Sequence, residues 1–426
     1  MNTLPASTAV LATICVLLVP LAIAGISLIN AGLGRSRSAA HAMAGSLCVF
    51  AVATVVYFAF GFALQGYPGR PAHIIMAAGK PWDWVAGERF FFRGLELDGS
   101  AASLAAWLQM FSVGLAAVIP LGSGADRWRL SASCASTALL AALSYPLFAH
   151  WAWGGGWLAQ LGVNFDLGCG FLDAGGSSTI QAVGGLTALA IAWILGPRQG
   201  KYAADGTAAI PGHSAVFVLF GCLLALPGWV ALNGAGAILF AGMSAEGMAA
   251  VAINTSLSAA AAALTGAVIT RVRFGRPDAS LTSNGWMSGL VASSAGCAFL
   301  SPAAALAVGL VAGAIVIGAV ELFEFRLRLD DPTGAVAVHG VAGIWGILSV
   351  GLLGRLPAGQ WLAQVVGIAT LLGSLLPLTY GLNWLLDRIH AQRVSVDGER
   401  VGMDLYELGA GAYPDFVTHS DEFLPR

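Results

Sequence analysis

Charge is what this 426-residue chain most lacks: Asp, Glu, Lys and Arg together make up 10%, where a soluble domain carries about 25%. With 57% apolar residues and a mean hydropathy of +0.78, that scarcity excludes a soluble globular protein. Basic runs are missing too, and the net charge is −2. The footprint that a phosphate backbone demands is therefore absent, and nucleic acid is excluded as a partner. Cysteine is sparse: Cys15, Cys48, Cys134, Cys169, Cys222 and Cys297 are scattered, and all but Cys169 lie in or beside long apolar stretches. They build neither a disulfide framework nor a zinc spacing. With no P-loop, metal spacing or nucleophile and base arrangement, the chain reads as neither an enzyme nor a metal or cofactor protein. Glycine, in contrast, is abundant at 56 residues, which lets membrane helices approach closely.

A bilayer core of about 30 Å takes roughly 20 apolar residues per helix. Apolar stretches between polar punctuation fall at about 7–31, 40–65, 101–123, 131–153, 174–196, 212–238, 246–270, 282–300, 302–325, 334–354 and 360–386, predicting eleven spans. Ala22-Ile23-Ala24 looks like a signal-peptide cleavage site, but no Lys or Arg precedes Arg35, so the first span reads as a retained helix. Placing the N-terminus outside puts Arg35, Arg37, Arg127, Arg129, Arg198, Lys201, Arg271, Arg273, Arg276, Arg326, Arg328 and the tail arginines 388, 393, 400 and 426 inside. Only Arg70, Lys80, Arg89, Arg93 and Arg355 remain outside. The positive-inside rule thus predicts N-out and C-in.

Two segments echo one another. Asp173 is followed eight positions later by Gln181 and then by Gly184-Gly185; Asp331 is followed eight positions later by His339 and then by Gly340 and Gly343. The first opens its span from outside and the second from inside, as in an inverted repeat, which places a conduction path at the repeat interface. The expected fold is an all-α polytopic membrane protein. A channel domain over 1–387 divides into half-repeats of about 7–197 and 211–355 and a final wrapping helix at 360–386, followed by a cytoplasmic tail over 388–426. Each aspartate reads first as a helix cap, with a direct ligand role as the alternative. His339 lies about 12 Å into its apolar span, where a titratable ring is a candidate functional group; Gln181 is its counterpart.

With Trp151-Ala-Trp153-Gly-Gly-Gly156, Asp173-Ala-Gly-Gly-Ser-Ser-Thr-Ile-Gln181, Asp330-Asp-Pro-Thr-Gly-Ala-Val-Ala-Val-His339-Gly-Val-Ala-Gly343 and Ala125-Asp126-Arg127, the chain resembles the ammonium transporter, methylammonium permease and Rhesus protein family from about Ser7 to Pro414. The resemblance implies a homotrimer in the plasma (inner) membrane, one narrow pore per protomer, and an inward tail. It also implies a substrate: ammonium is captured outside, loses its proton, and ammonia passes two facing histidines. The physics is independent of the family. An apolar channel rejects any bare cation, an ion that sheds a proton escapes that cost, and a tryptophan face favours a cation by about 1–2 kcal/mol. Trp153 fits the last role.

The chain departs from the family at several positions. The first family histidine falls on Gln181, which does not titrate near neutrality, so no relay between two imidazoles can operate. The two gate phenylalanines fall at Ser112 and Leu232, and the serine beside the outer cation site at Gly236. That leaves Trp153, with Asp173 supporting the vestibule backbone and Asp331 as its inner counterpart. The expected function is a low-affinity ammonium or ammonia channel. The alternatives are a pore for methylammonium or a neutral gas such as carbon dioxide, and a non-conducting ammonium sensor. The family's His-Gly-Glu in the tail reads Leu408-Gly409-Ala410, which removes a charged contact and weakens the case for a trimeric nitrogen-signalling partner. Trp82, Trp84 and Phe90 to Phe92 in loop 66–100 read as interfacial belt residues or a cap over the mouth. Glu321 and Glu324 read as snorkelling partners of Arg326 and Arg328, and His150 as an interface residue.

Overall fold

A computed structural model describes residues 4–68, 72–203 and 206–413; Arg70, Pro414 and the remainder of the tail to Arg426 lie outside the described residues. The chain folds into α1 (Ala6–Leu33), α2 (Ser36–Gln65), α3 (Ala101–Ser123), α4 (Leu130–Trp153), α5 (Ser177–Leu195), α6 (Ala215–Ala241), α7 (Ala245–Phe274), α8 (Ala279–Gly296), α9 (Pro302–Arg326), α10 (Val336–Leu353) and α11 (Gln360–Ile389). All but α8 are long and apolar enough to cross a membrane, ten helices among the described residues. The span read at 282–300 is helical as α8, but Ser283, Asn284, Ser288, Ser293 and Ser294 lower its apolarity while lying buried. Side-chain oxygens cap the helix starts where the sequence supplies them: Ser100 at α3, Ser214 at α6, Asp278 at α8 and Ser301 at α9.

Glycine sets the packing. A Cβ at Gly25 of α1 would stand 2.6 Å from the Gly221 carbonyl of α6, and one at either Gly289 of α8 or Gly309 of α9 would lie within 2.3 Å of the Ser258 carbonyl of α7. Such contacts replace the hydrophobic drive that is missing between helices in lipid.

The all-helical expectation is corrected in the long loop. β1 (His73–Ala77) pairs antiparallel with β2 (Lys80–Val85), turning through Ala78 and Gly79 at φ 52° and 72°. That is the two-residue, positive-φ connection that matches strand twist. The hairpin sits on the bundle: Trp151 Nε1 donates to the Trp84 carbonyl and Trp157 N to the Asp83 carbonyl, both at 2.9 Å. A second two-residue ladder joins Tyr202–Ala203 to Gly206–Thr207. We call the end carrying the hairpin the hairpin face and the opposite end the tail face.

At the tail face the chain after α11 runs back across its own bundle. Arg129 N donates to the Gln392 carbonyl and Val394 N to the Arg127 carbonyl. Asp404 accepts from the amides of Ala40 and His41, and Glu407 from Leu130 N at 2.8 Å, so two tail carboxylates cover the starts of α2 and α4. Glu407 also pairs with His41 Nε2 at 2.8 Å. Acidity absent from Leu408 to Ala410 is thus present one residue earlier. Burial pushes the Glu407 carboxyl up, but the His41 and Leu130 hydrogen bonds outweigh it and hold the group below the ordinary glutamate value.

Candidate functional site

Asp173 and Asp331 organise the centre of the bundle from opposite ends. Asp173 accepts from the amides of Gly176, Ser178 and Thr179, each at 2.9 Å, and starts α5 at the hairpin face. Asp331 accepts from Ala335 N, Val336 N and Ser123 Oγ and starts α10 at the tail face. Both act as helix caps. Each new helix opens with a widened π turn, over Ser177–Ala182 and Val336–Val341. Such turns cluster at functional sites because they re-aim a side chain, and here they contain Gln181 and His339.

The two helices then cross backbone to backbone. A Cβ at Gly185 would lie 2.2 Å from Gly340 N, and one at Gly343 would lie 2.7 Å from the Ser177 carbonyl, so no larger residue permits this approach. At the crossing, His339 Nδ1 and Gln181 Oε1 are 2.8 Å apart, with Gln181 fully buried and His339 5% exposed. An amide oxygen only accepts, so Nδ1 is the donor, and in the neutral ring Nε2 is left with a lone pair. Gln181 Nε2 is buried without a partner. The pair therefore offers an uncommitted amide NH2 group and an uncommitted ring-nitrogen acceptor.

Towards the hairpin face, Trp153 Nε1 donates to the Asp173 carbonyl at 2.6 Å, and its ring stacks on Phe240 with centroids 4.3 Å apart and planes 6° apart. Ser112 and Leu232 are 0% and 1% exposed. Ser112 Oγ donates to the Leu108 carbonyl one turn back in its own helix. Gly236 has a packing reason: a Cβ there would lie 2.2 Å from the Ala174 carbonyl. His150 is buried, its Nδ1 2.6 Å from the Gln65 carbonyl and its Nε2 2.9 Å from Asp83 Oδ1.

Towards the tail face, His339, Asn30, Asn284 and Thr333 line a cavity of about 20 Å³, room for one water-sized molecule. Asn284 is shared with a larger cavity of about 220 Å³ bordered by Arg198, Lys201, Glu324, Asp330 and Asp331. A buried ionic cluster stands beside it. Arg198 donates to Asp330 through its main-chain N, Nε and Nη2, at 2.8, 2.9 and 3.0 Å, and to Asp126 through Nη1 at 3.0 Å. Arg127, fully buried, donates to the Gly196 and Asp330 carbonyls. Burial raises the Asp330 carboxyl, but the Arg198 and Arg127 contacts prevail and hold it below the ordinary aspartate value. Burial lowers the Arg127 guanidinium to about 10 despite Asp330, and burial raises Asp331 against its Ser123 and backbone hydrogen bonds. Glu324 pairs with Lys201 and Glu321 with Arg273, not with the arginines two to seven positions ahead in sequence.

Sequence reasoning missed Phe240, Asn30, Asn284 and Thr333. Phe240 had a signal, since it lies one helical turn beyond Gly236 and so on the same face. Thr333 sits inside the segment opened by Asp330, and its hydroxyl is buried without a partner. Asn30 and Asn284 lie in spans remote in sequence from either half of the echoed motif. Among the described residues no group of acids, histidines and cysteines could hold a metal ion.

The sequence profile of the Ammonium Transporter Family matches residues 10–413. Ammonium transporter Amt2 of Archaeoglobus fulgidus is 36% identical, over 96% of this chain and 89% of that protein; the ammonium transporter of Bacillus subtilis is 28% identical, over 94% and 97%. Among solved structures, one described as a sensor Amt protein superposes with a TM-score of 0.85 at 27% identity, over 94% of this chain and 98% of that one. Candida albicans Mep2 superposes with a TM-score of 0.81 at 23% identity, over 97% and 91%, a likeness of fold.

Proposed function

Because the chain belongs to the Ammonium Transporter Family, we propose that it is a multi-pass membrane channel carrying ammonia, drawn from ammonium, past the Gln181 and His339 pair, with one path through each protomer. The observation that carries this reading is the hydrogen-bonded pair at the Gly185–Gly340 crossing. Ammonia has three donors and one lone pair. Its lone pair can accept from Gln181 Nε2, which has no other partner, while one N–H donates to His339 Nε2. Potassium offers neither contact and carries the full cost of a charge near the bilayer centre. Because an amide does not titrate in this range, Gln181 passes no proton to the ring, and the substrate's proton is released before the pair.

The same proposal comprises eleven spanning helices, with α8 as the least apolar, and a five-plus-five inverted repeat followed by α11. In it the hairpin face is outside and the tail face inside, in a homotrimer of the plasma (inner) membrane. The matched start of α5 and α10 from opposite faces supports the repeat, and the arginines gathered at the tail face support the orientation. The tail, over 388–426, is then cytoplasmic. Its His41–Glu407 contact lies within one chain, which favours a docked tail and leaves a signalling protein as an additional, separable partner. Relatives named as transporters favour conduction over sensing. The test is current in proteoliposomes: His339→Ala lowers ammonium-dependent flux strongly, and Gln181→His, restoring two imidazoles, raises proton-coupled ammonium current. Unchanged flux in both variants would remove the pair from the pathway.

A further inference from the structure

The Trp153 indole is tied to the segment that starts α5, and another ring already lies against it. Its edge is fixed, because Nε1 is committed to the Asp173 carbonyl at 2.6 Å. Phe240 lies parallel to it, 4.3 Å between centroids and 6° between planes. Non-bonded carbons meet at about 3.5–4.0 Å, so no atom fits between the rings. A cation gains from an aromatic ring only over its face and within about 6 Å of the centroid. Phe240 therefore occupies one of the two faces over which the indole could hold a cation.

The local backbone explains why Phe240 sits there. Gly236 brings α6 against the Ala174 carbonyl at a distance that no side chain tolerates, which draws the end of α6 over the Asp173 segment. Phe240, four residues on, shares the Gly236 face. It lies in the last turn of α6, which ends at Ala241 and passes into Gly242 at φ 66°, and it is only half-buried. The Asp173 carboxylate is consumed as a cap and offers no free charge to a cation at the indole.

We propose that Phe240 is a specificity-determining cap on Trp153: it takes the aromatic face that a small ammonium ion would otherwise use, and thereby makes cation capture at this entrance weak. The cap replaces a cation as the stacking partner, rather than orienting the indole for one. Ions that profit from cation–π contact, methylammonium above all, lose more by this than neutral solutes do. This rests on the reading of the chain as an ammonium channel, but equilibrium binding tests it without requiring flux.

The experiment is binding of radiolabelled methylammonium to the purified full chain at fixed ionic strength, with sodium chloride as balancing salt, since a quaternary ammonium would itself compete for an aromatic face. Phe240→Ala frees the face and tightens binding about 5- to 30-fold, the range of one cation–π contact of ~1–2 kcal/mol. Phe240→Tyr keeps the ring and stays at the parent value. Trp153→Ala in the Phe240→Ala background returns binding to the parent value or below. Phe240→Leu, which retains bulk without a flat ring, shifts in the same direction as alanine and serves if the alanine variant fails to fold. Unchanged or weaker binding in both Phe240→Ala and Phe240→Leu, or a gain that survives loss of Trp153, overturns the cap. Absence of flux in the parent protein would count against the channel reading and leave these binding outcomes decisive for the cap.

Discussion

Replacing Asp330 by asparagine tests whether the buried ionic cluster holds the tail-face end of the bundle. Asp330 is 3% exposed and Arg198 likewise 3%, and the carboxylate takes three hydrogen bonds from Arg198. Asparagine preserves the shape and removes the charge, leaving Arg198 with Asp126 as its remaining carboxylate. Breaking a buried pair from one side costs about 3–5 kcal/mol, against about 0–1 for a surface pair, so the two interpretations are well separated. Denaturant unfolding in mixed micelles at pH 7 reads the difference. The pH dependence gives the signature. Asp330 is held below the ordinary aspartate value, so its contribution is complete above that value, about pH 4, and is lost as pH falls through the lower folded-state value. The gap between parent and Asp330→Asn is therefore full at pH 7 and narrows below about pH 4. A loss under 1 kcal/mol at neutral pH, or a gap that widens in acid, would refute the reasoning.

Two further perturbations follow from the packing. Glu407→Gln removes the charged partner of His41 and weakens the contact to Leu130 N; at about 1.5–3 kcal/mol for hydrogen bonds to a charged group, limited proteolysis between residues 395 and 413 accelerates roughly 10- to 100-fold, and unaltered cleavage would show that the tail is held otherwise. Gly185→Ala places a Cβ 2.2 Å from Gly340 N, which forces α5 and α10 apart at a cost of about 1–3 kcal/mol and separates Gln181 from His339; a variant with parental melting temperature and parental flux would contradict the close crossing.

Much of this was legible in sequence because membrane insertion writes itself into composition. Long apolar stretches placed ten of the helices, and the matched spacing from Asp173 and Asp331 set Gln181 and His339 at equal depth on separate spans; in the folded chain they lie 2.8 Å apart. α8 was harder, since its serines and Asn284 are buried among other helices and need not be apolar. The hairpin escaped because Ala78 carries a positive φ that its residue type does not advertise. The π turns at Ser177–Ala182 and Val336–Val341 leave no periodicity to read. The ionic cluster joins Asp126, Arg198 and Asp330 across long sequence separations, so single-chain charge counting could assign those residues to a face but not to one another. Phe240 was missed for another reason. Alignment on the absent gate drew attention to Ser112 and Leu232, which are buried, while the ring that covers Trp153 stands one turn further along α6.

The central claim is that the Gln181 and His339 pair lines a path for ammonia, and parallel flux of three solutes addresses it most directly. Proteoliposomes bearing the parent chain or His339→Ala are challenged with ammonium, methylammonium and carbon dioxide, and internal pH is followed by stopped-flow fluorescence. The account predicts ammonium-driven alkalinisation above that of protein-free vesicles in the parent, a smaller response to methylammonium, no acceleration for carbon dioxide, and loss of the ammonium response in His339→Ala. An ammonium response equal to that of protein-free vesicles, or one that His339→Ala leaves intact, would contradict it.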